Sequence, residues 1–504
     1  MKILADERYP LEDQRVVIHN AINNDRIPYR FNAASLVIED PFIHDHPVNL
    51  TYKRQYRNPN GVYVDISPYA PLEDSASFMN ALVHGSRKLP DSDLILYAKD
   101  LSAKTPKSSF FLKKMLYKCI ESIWRATPKT NYSNLERFLD EMQEFSTEGD
   151  LFSNIIFYLR SYISLANATV GIDPVIAKSS AHGLALSEPF RNIAESLITD
   201  CENRPNLFTA SLLKGELQSL ICSRVKAAQS FQIAQTLASN FIEYFHFDNG
   251  FMTYGTPQQQ TRIPEINMVS DAIPISDTTF LLSTDVNFFR RYGGQILLYA
   301  EMLHDVHIHF HILGDPLATK SAISEANTLF DSMLSFQKSS KLSIPPTYSH
   351  EAVPHDVTDA RTYYACSRYL VAPSLLDFFS RDLYIMDIDL FLQDRPDNYF
   401  MFARKFDVTI PFSAGLVNIW PWRRLMAGSV FIKNTPAGRN YANHVKQYID
   451  SYITGSSNLW MLDQNALLWA YEKCQERVHF GNRNAGGVTF LTSNPTLAGI
   501  IEKA

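Results

Sequence analysis

The chain has 504 residues, 45% hydrophobic and 20% charged, with a formal net charge of −6. That composition excludes a disordered chain, and the length exceeds one ordinary core, so two or three domains are expected. No long basic run offers a nucleic-acid footprint, and no apolar stretch approaches the ~20 residues that span a bilayer.

The opening residues MKILADERYPLEDQR lack the apolar core of a signal peptide. The cysteines Cys119, Cys201, Cys222, Cys366 and Cys474 are odd in number and form no CxxC pair. They read as reduced thiols, and a cytoplasmic protein is expected.

Residues 1–75 read as a mixed segment, with a hairpin signal at Asn60-Gly61 between Tyr56 and Val62-Tyr63-Val64. Residues 76–245 read as a helical domain of repeat-like character. Leu112, Met115, Leu116, Cys119, Ile120 and Ile123 recur at helical steps, as do Leu135, Phe138, Leu139 and Met142. Ser133 with Glu136 has the spacing of a capping box, and residues 151–168 and 211–245 also read as helical. Residues 246–276, rich in Gly, Pro and Gln, read as a linker. From 277 to 504 short apolar runs alternate with amphipathic helices. Strands are expected at Phe280–Ser283, Val306–Leu313 and Leu383–Met386, with helices over Gly293–Leu303 and, interrupted near Pro373, over Thr358–Phe379. That alternation predicts an α/β domain with a mostly parallel sheet.

The run Leu383–Met386 ends at Asp387-Ile388-Asp389. Residues i and i+2 of a strand share a face, so both carboxylates can converge while Ile388 points into the core. Ligand sites of open α/β sheets lie beyond the carboxyl ends of strands. Two carboxylates there supply hard oxygen ligands for Mg²⁺ or Mn²⁺, and such an ion can hold a diphosphate. A pair of turn or cap aspartates is the plainer reading of the same three residues.

An ordered set of landmarks over the last 230 or so residues resembles glycosyltransferases of the GT-A type, most nearly family 8 and its relatives. Phe280–Phe288 looks like the first strand and its nucleotide-binding turn, which makes Asp285 the candidate for the base. Tyr363–Leu370 followed by Pro373 looks like the helix before the metal strand, with Arg368 near the donor nucleotide. Leu383–Leu390 matches the metal strand, with Asp387 and Asp389 as ligands. Ser413–Asn418 looks like the loop and strand beneath the donor sugar, which brings in Ala414 and Gly415. Asp463-Gln464 resembles the element beside the reacting sugar carbon, and Val478–Gly481 looks like the segment whose histidine, here His479, completes the metal site. Asn482–Gly487 stands where the family has Lys-Pro-Trp.

The resemblance implies a Rossmann-like mixed sheet behind a mainly helical region. It also implies a hexosyltransferase-type enzyme using Mn²⁺ or Mg²⁺. The sugar would pass from a nucleotide-diphosphate donor, a UDP-sugar, to a glycan or protein acceptor with retention at the anomeric carbon.

Each candidate has a plainer alternative. Asp463 has the position of a first-turn helix acid, and His479 that of a strand-end histidine. Arg368 can be a salt-bridged helix arginine, with Arg361 as its competitor. His307, His309 and His311 share one strand face, either as a metal comb or as a polar face packed under a helix. Trp420, Trp422 and Trp460 can stack on sugars or fill the core. Two other functions stay open: a non-catalytic helical scaffold with a degenerate transferase domain, and a sugar nucleotidyltransferase. The intact acid pair speaks against the first, and the absence of a Gly-rich phosphate loop against the second.

Overall fold

The computed structural model describes residues 55–57, 63–65, parts of 82–123, 131–238, most of 241–257, 266–268, 276–302, 306–337, 344–388, 390–392, 397–454, 459–483 and 488–490. Strands β1 (Gln55–Arg57) and β2 (Tyr63–Asp65) pair antiparallel with Tyr56 opposite Val64, bracketing the expected hairpin turn, which lies outside the described residues.

The helical region comprises α1 (Asp91–Ser102), α2 (Ser133–Gln143), α3 (Leu151–Thr169), α4 (Glu188–Glu202), α5 (Phe208–Ile221) and α6 (Arg224–Leu237). Both apolar stripes read from the sequence, 112–123 and 135–142, are buried. The start of α2 differs from the expected capping box: Ser133 is its first helical residue, and the N-cap Tyr132 makes no side-chain cap bond. The stretch 211–245 is broken at Cys222-Ser223, because the Ser223 hydroxyl accepts from Lys226 N (3.3 Å) and so starts α6 afresh. All five cysteines are free thiols. Among the described residues no helix is long and apolar enough to cross a membrane.

The α/β half contains β3 (Asn267–Met268), β4 (Thr278–Asp285), α7 (Val286–Met302), β5 (His307–Leu313), α8 (Pro316–Gln337), β6 (Thr347–Glu351), α9 (Ala360–Phe379) and β7 (Asp382–Met386). There follow β8 (Leu390–Leu392), α10 (Asp397–Ala403), β9 (Val408–Thr409), β10 (Ser429–Ile432), α11 (Pro436–Tyr452), α12 (Leu462–Cys474), β11 (Phe480–Gly481) and β12 (Val488–Phe490). Eight strands form one mixed sheet in the order β11-β9-β10-β7-β4-β5-β6-β3, and β12 pairs with β8 apart from it. Its centre, β7-β4-β5-β6, is parallel, as expected from strand–helix alternation, and β10 runs antiparallel to β7.

The chain moves outward from β4 to β5 and β6, then crosses back to place β7 on the other side of β4. The sheet order therefore reverses between β4 and β7. In open α/β sheets the crevice outside the carboxyl ends of such strands, here carrying Asp285 and Asp387, is the expected place for a ligand. Helix α9 covers one face of this centre, with Phe379 edge-on to the rings of His307 (5.2 Å) and His309 (5.1 Å).

The two halves share a packed seam. Within the glycine- and proline-rich stretch expected to link them, residues 249–257 lie against the α/β half, while 258–265 and 269–275 are outside the described residues. A Cβ on Gly250 would lie 2.1 Å from Trp422 Cγ, so only glycine lets the backbone approach that ring. Asn465 Nδ2 donates to Gly250 O (2.7 Å) and Thr253 Oγ1 (2.9 Å). The buried Arg424 donates to Ser219 O (3.0 Å) and Ser219 Oγ (2.6 Å) on α5. Trp420 Nε1 donates to the Tyr162 hydroxyl, which donates in turn to the buried Glu216 (3.0 Å). Trp420 and Trp422 are thus core residues of the seam.

Candidate active site

Four elements converge at the carboxyl end of β7. The β7 residues Leu383, Tyr384, Ile385 and Met386 are buried between layers. Asp387 is the first residue beyond them, and its amide donates to Gly428 O (3.3 Å), just before β10. Helix α9 is capped by Asp359, whose carboxylate accepts from Thr362 N (3.0 Å) and Thr362 Oγ1 (2.7 Å). Two turns along it, Arg368 reaches the end of β7. Helix α12 begins after Met461, which holds a left-handed backbone with φ of 72°. This conformation is strained for a side-chain-bearing residue and is typical of sites where geometry is over-determined.

The Arg368 guanidinium joins two of the candidate acids. One terminal nitrogen pairs with Asp387 Oδ1, and the other lies 3.1 Å from Asp463 Oδ2. The Arg368 side chain is 6% exposed, that of Asp463 11% and that of Asp387 26%, so Asp387 is the member open to a ligand. Burial raises the Asp463 carboxyl above its ordinary value, while Arg368 and the Gln464 amide (2.8 Å) pull it down. The Gln464 side-chain amide, with its nitrogen turned inward, donates to the carbonyls of Leu425 (2.9 Å) and Trp422 (2.5 Å). Arg361 stacks on Trp460 at 4.1 Å instead, which separates the two arginine candidates: Arg368 is the one on the carboxylates.

Asp285 ends β4, beside the same crevice. Its Oδ1 accepts from the amides of Asn287 (2.7 Å) and Phe288 (3.2 Å), so it caps α7. It also lies close enough to Tyr364 of α9 to add to the burial that raises that phenol's pKa. Asp389 lies outside the described residues.

Two expectations are corrected. His479 does not reach Asp387. β11 pairs with β9, β9 with β10 and β10 with β7, in a register that sets Phe480 level with Leu383. His479 therefore sits at the amino edge of the sheet and Asp387 at its carboxyl edge. Three strand spacings and five residues of rise separate them by about 20 Å. His479 N instead donates to Asp407 Oδ2 (3.1 Å).

Ser413–Asn418, expected as a loop and strand, for its part forms no strand. Gly415, with φ of 74°, leads into a short 3₁₀ helix over Leu416–Ile419, and the strand next to β7 is Ser429–Ile432. The site residues missed by sequence reasoning are therefore Ala427 and Gly428. Ala427 O accepts from the Tyr369 hydroxyl and Gly428 O from Asp387 N. The signal available was the apolar run Val430–Ile432 after a glycine.

Among the described residues no group of three or more His, Cys, Asp or Glu could hold a metal ion. Asp387 alone offers one exposed carboxylate oxygen set, with Asp389 two residues on in the sequence.

No family model matches the chain, and no curated protein matches it. Two solved structures are similar to part of it. One is the glycosyltransferase GlyE of Streptococcus pneumoniae TIGR4, with a TM-score of 0.27 and 12% identity over 42% of this chain and 45% of that one. The other is the apo form of the same glycosyltransferase, with a TM-score of 0.26 and 11% identity over 41% and 45%. The chain thus spans less than half the length of the structures it matches, and the chemistry of the site rests on its own geometry.

Proposed function

We propose that the α/β half is a metal-dependent glycosyltransferase that moves a sugar from a nucleotide-diphosphate donor, a UDP-sugar, to a glycan or protein acceptor. The observation that carries this reading is the meeting of Arg368, Asp387 and Asp463 at the carboxyl edge of the sheet, where strand order reverses. A crevice of that kind is where open α/β sheets bind ligands. A buried arginine beside an accessible carboxylate gives it the charges a diphosphate needs.

In this reading Asp387, with Asp389, holds Mg²⁺ or Mn²⁺, which when bound neutralises the charge growing on the leaving diphosphate. Arg368 fixes the angle between Asp387 and Asp463 and opposes the burial that raises the Asp463 pKa. Asp463 and Gln464 position the donor sugar, and α12 aims them through the Gln464 bonds to Trp422 and Leu425. Asp285 lines the nucleotide end of the crevice.

The test is a thermal-shift panel of nucleoside diphosphates and nucleotide sugars on the full chain, with and without Mn²⁺. A ligand at a hundred times its Kd stabilises the folded state by about 2.7 kcal/mol. A shift with UDP or UDP-sugars that depends on Mn²⁺ is expected. No shift with any nucleotide at millimolar concentration overturns the reading.

A further inference from the structure

The three histidines of β5 belong to no part of the site above. All three are fully buried, yet each ring nitrogen faces a polar atom. Thr279 Oγ1 lies 2.9 Å from His307 Nδ1, and His307 Nε2 lies 2.9 Å from Thr347 Oγ1. Thr347 Oγ1 is 2.8 Å from His309 Nδ1, and His309 Nε2 is 2.8 Å from Ser349 Oγ. Ser349 Oγ is 2.9 Å from His311 Nδ1, and His311 Nε2 faces Glu351 Oε2 at 3.4 Å. Glu351 Oε1 accepts from the Tyr363 hydroxyl of α9. The parallel register of β4, β5 and β6 generates this string, because partners in register share a face and histidines alternate with hydroxyls across the strands.

Proton counting restricts it. A neutral imidazole has one N–H and one lone pair, and each hydroxyl has one proton, so a string in which every hydroxyl spends its proton on a neighbouring ring points the same way at every link. Pointing toward Glu351, Thr279 donates to His307, each histidine carries its proton on Nε2, His311 Nε2 faces Glu351 Oε2 without a formed hydrogen bond, and Glu351 Oε1 accepts from Tyr363. Pointing away, Glu351 must be protonated, and the Thr279 proton faces no acceptor among the described residues. The first order keeps every hydroxyl link inside the string and aims its last proton at the Glu351 carboxylate. Burial also holds His307 and His309 neutral.

The string ends under the helix that carries Arg368. Tyr363 and Ser367 lie one turn apart on α9. Ser367 Oγ is 2.5 Å from Ser283 Oγ of β4, and Arg368 is the next residue. We propose that Glu351 is a positioning residue for the Arg368 centre: the histidine string points its last nitrogen at the carboxylate, and the bond from Tyr363 to Glu351 sets α9 so that Arg368 meets Asp387 and Asp463 together. The donor reading enters only where nucleotide binding is the readout.

The test begins with full-length protein labelled with ¹⁵N on histidine side chains, assigned by single His→Gln variants. Three Nε2–H tautomers are expected at neutral pH, and Nδ1–H tautomers at these positions overturn the string. Labelled on arginine, Tyr363→Phe should shift the Arg368 Nε–H signal, and an unshifted signal overturns the positioning role. Glu351→Gln and Tyr363→Phe should each weaken UDP binding in the presence of Mn²⁺ by about tenfold or more. A lower Tm with unchanged affinity would make Glu351 a core residue only. Should Glu351→Gln fail to fold, Tyr363→Phe, which removes one oxygen, carries the test. A wild-type chain that binds no UDP sinks the donor reading, while the tautomers and the arginine signal still judge this proposal.

Discussion

Arg368 and Asp463 are 95 residues apart in sequence and 3.1 Å apart in the fold, with Asp387 on the other arm of the same guanidinium. Removing the arginine leaves a buried carboxylate without its counter-charge, which typically costs about 3–5 kcal/mol. Arg368→Ala should lose stability on that scale in urea denaturation. Arg368→Lys should recover part of the stability and little of the activity, because a point charge cannot span two acids as a planar fork does. Equal recovery of both would argue against the bridging role.

Asp387→Asn keeps the shape of the side chain and removes its charge. Turnover of a nucleotide sugar should fall by about a hundredfold or more, with circular dichroism and Tm close to the parent. Activity within a few-fold of the parent would remove Asp387 from the site.

His479→Ala should leave Mn²⁺ affinity unchanged in a calorimetric titration, because His479 lies at the far edge of the sheet. A clear loss of affinity would contradict the β11–β9–β10–β7 register.

Burial lowers His307 from 6.5 to about 4, and His309 well below 6.5. The unfolded chain therefore binds more protons than the folded one between these limits, so stability rises with pH across that window. It is present in full above about 6.5 and is lost as pH falls toward 4. From pH 7 to pH 5, His307 alone should cost about 2 kcal/mol, read as a lower urea midpoint. A flat midpoint over that range would mean the imidazoles are not buried neutral.

Gly250→Ala pushes a methyl group into the Trp422 ring. A loss of about 1–3 kcal/mol is expected, measured by thermal unfolding of the full chain. A neutral substitution would mean that the seam is looser than its packing indicates.

The parts of the site carried by local pattern were legible in the sequence. β7 could be seen because an apolar run ends abruptly at Asp387, and α9 from its helical pattern, although the interruption expected near Pro373 does not occur and the helix runs unbroken from Ala360 to Phe379. Arg368, Asp387 and Asp463 were separately recognisable as candidates, but nothing in the sequence says that one guanidinium joins them. What stayed hidden depended on register. The short strands β9, β10 and β11 have almost no period of their own, so their spacing could not show that His479 lies a sheet's width from Asp387. Nor could it show that Gly428 flanks the acid. The histidine comb was visible as an alternation, but its Thr347 and Ser349 partners belong to a five-residue strand too polar to read as one.

Glu472 sits nine residues beyond Asp463 on α12, about 14 Å along the helix. Burial would raise its pKa, yet Arg224 of α6 (2.7 Å) and His182 (3.5 Å) hold it at about 2. Arg224 is itself stacked on Tyr254 at 4.2 Å. One rigid rod is therefore gripped at each end by an arginine, one rooted beneath the crevice and the other in the helical layer. The helical layer thus holds one end of the helix whose other end carries Asp463.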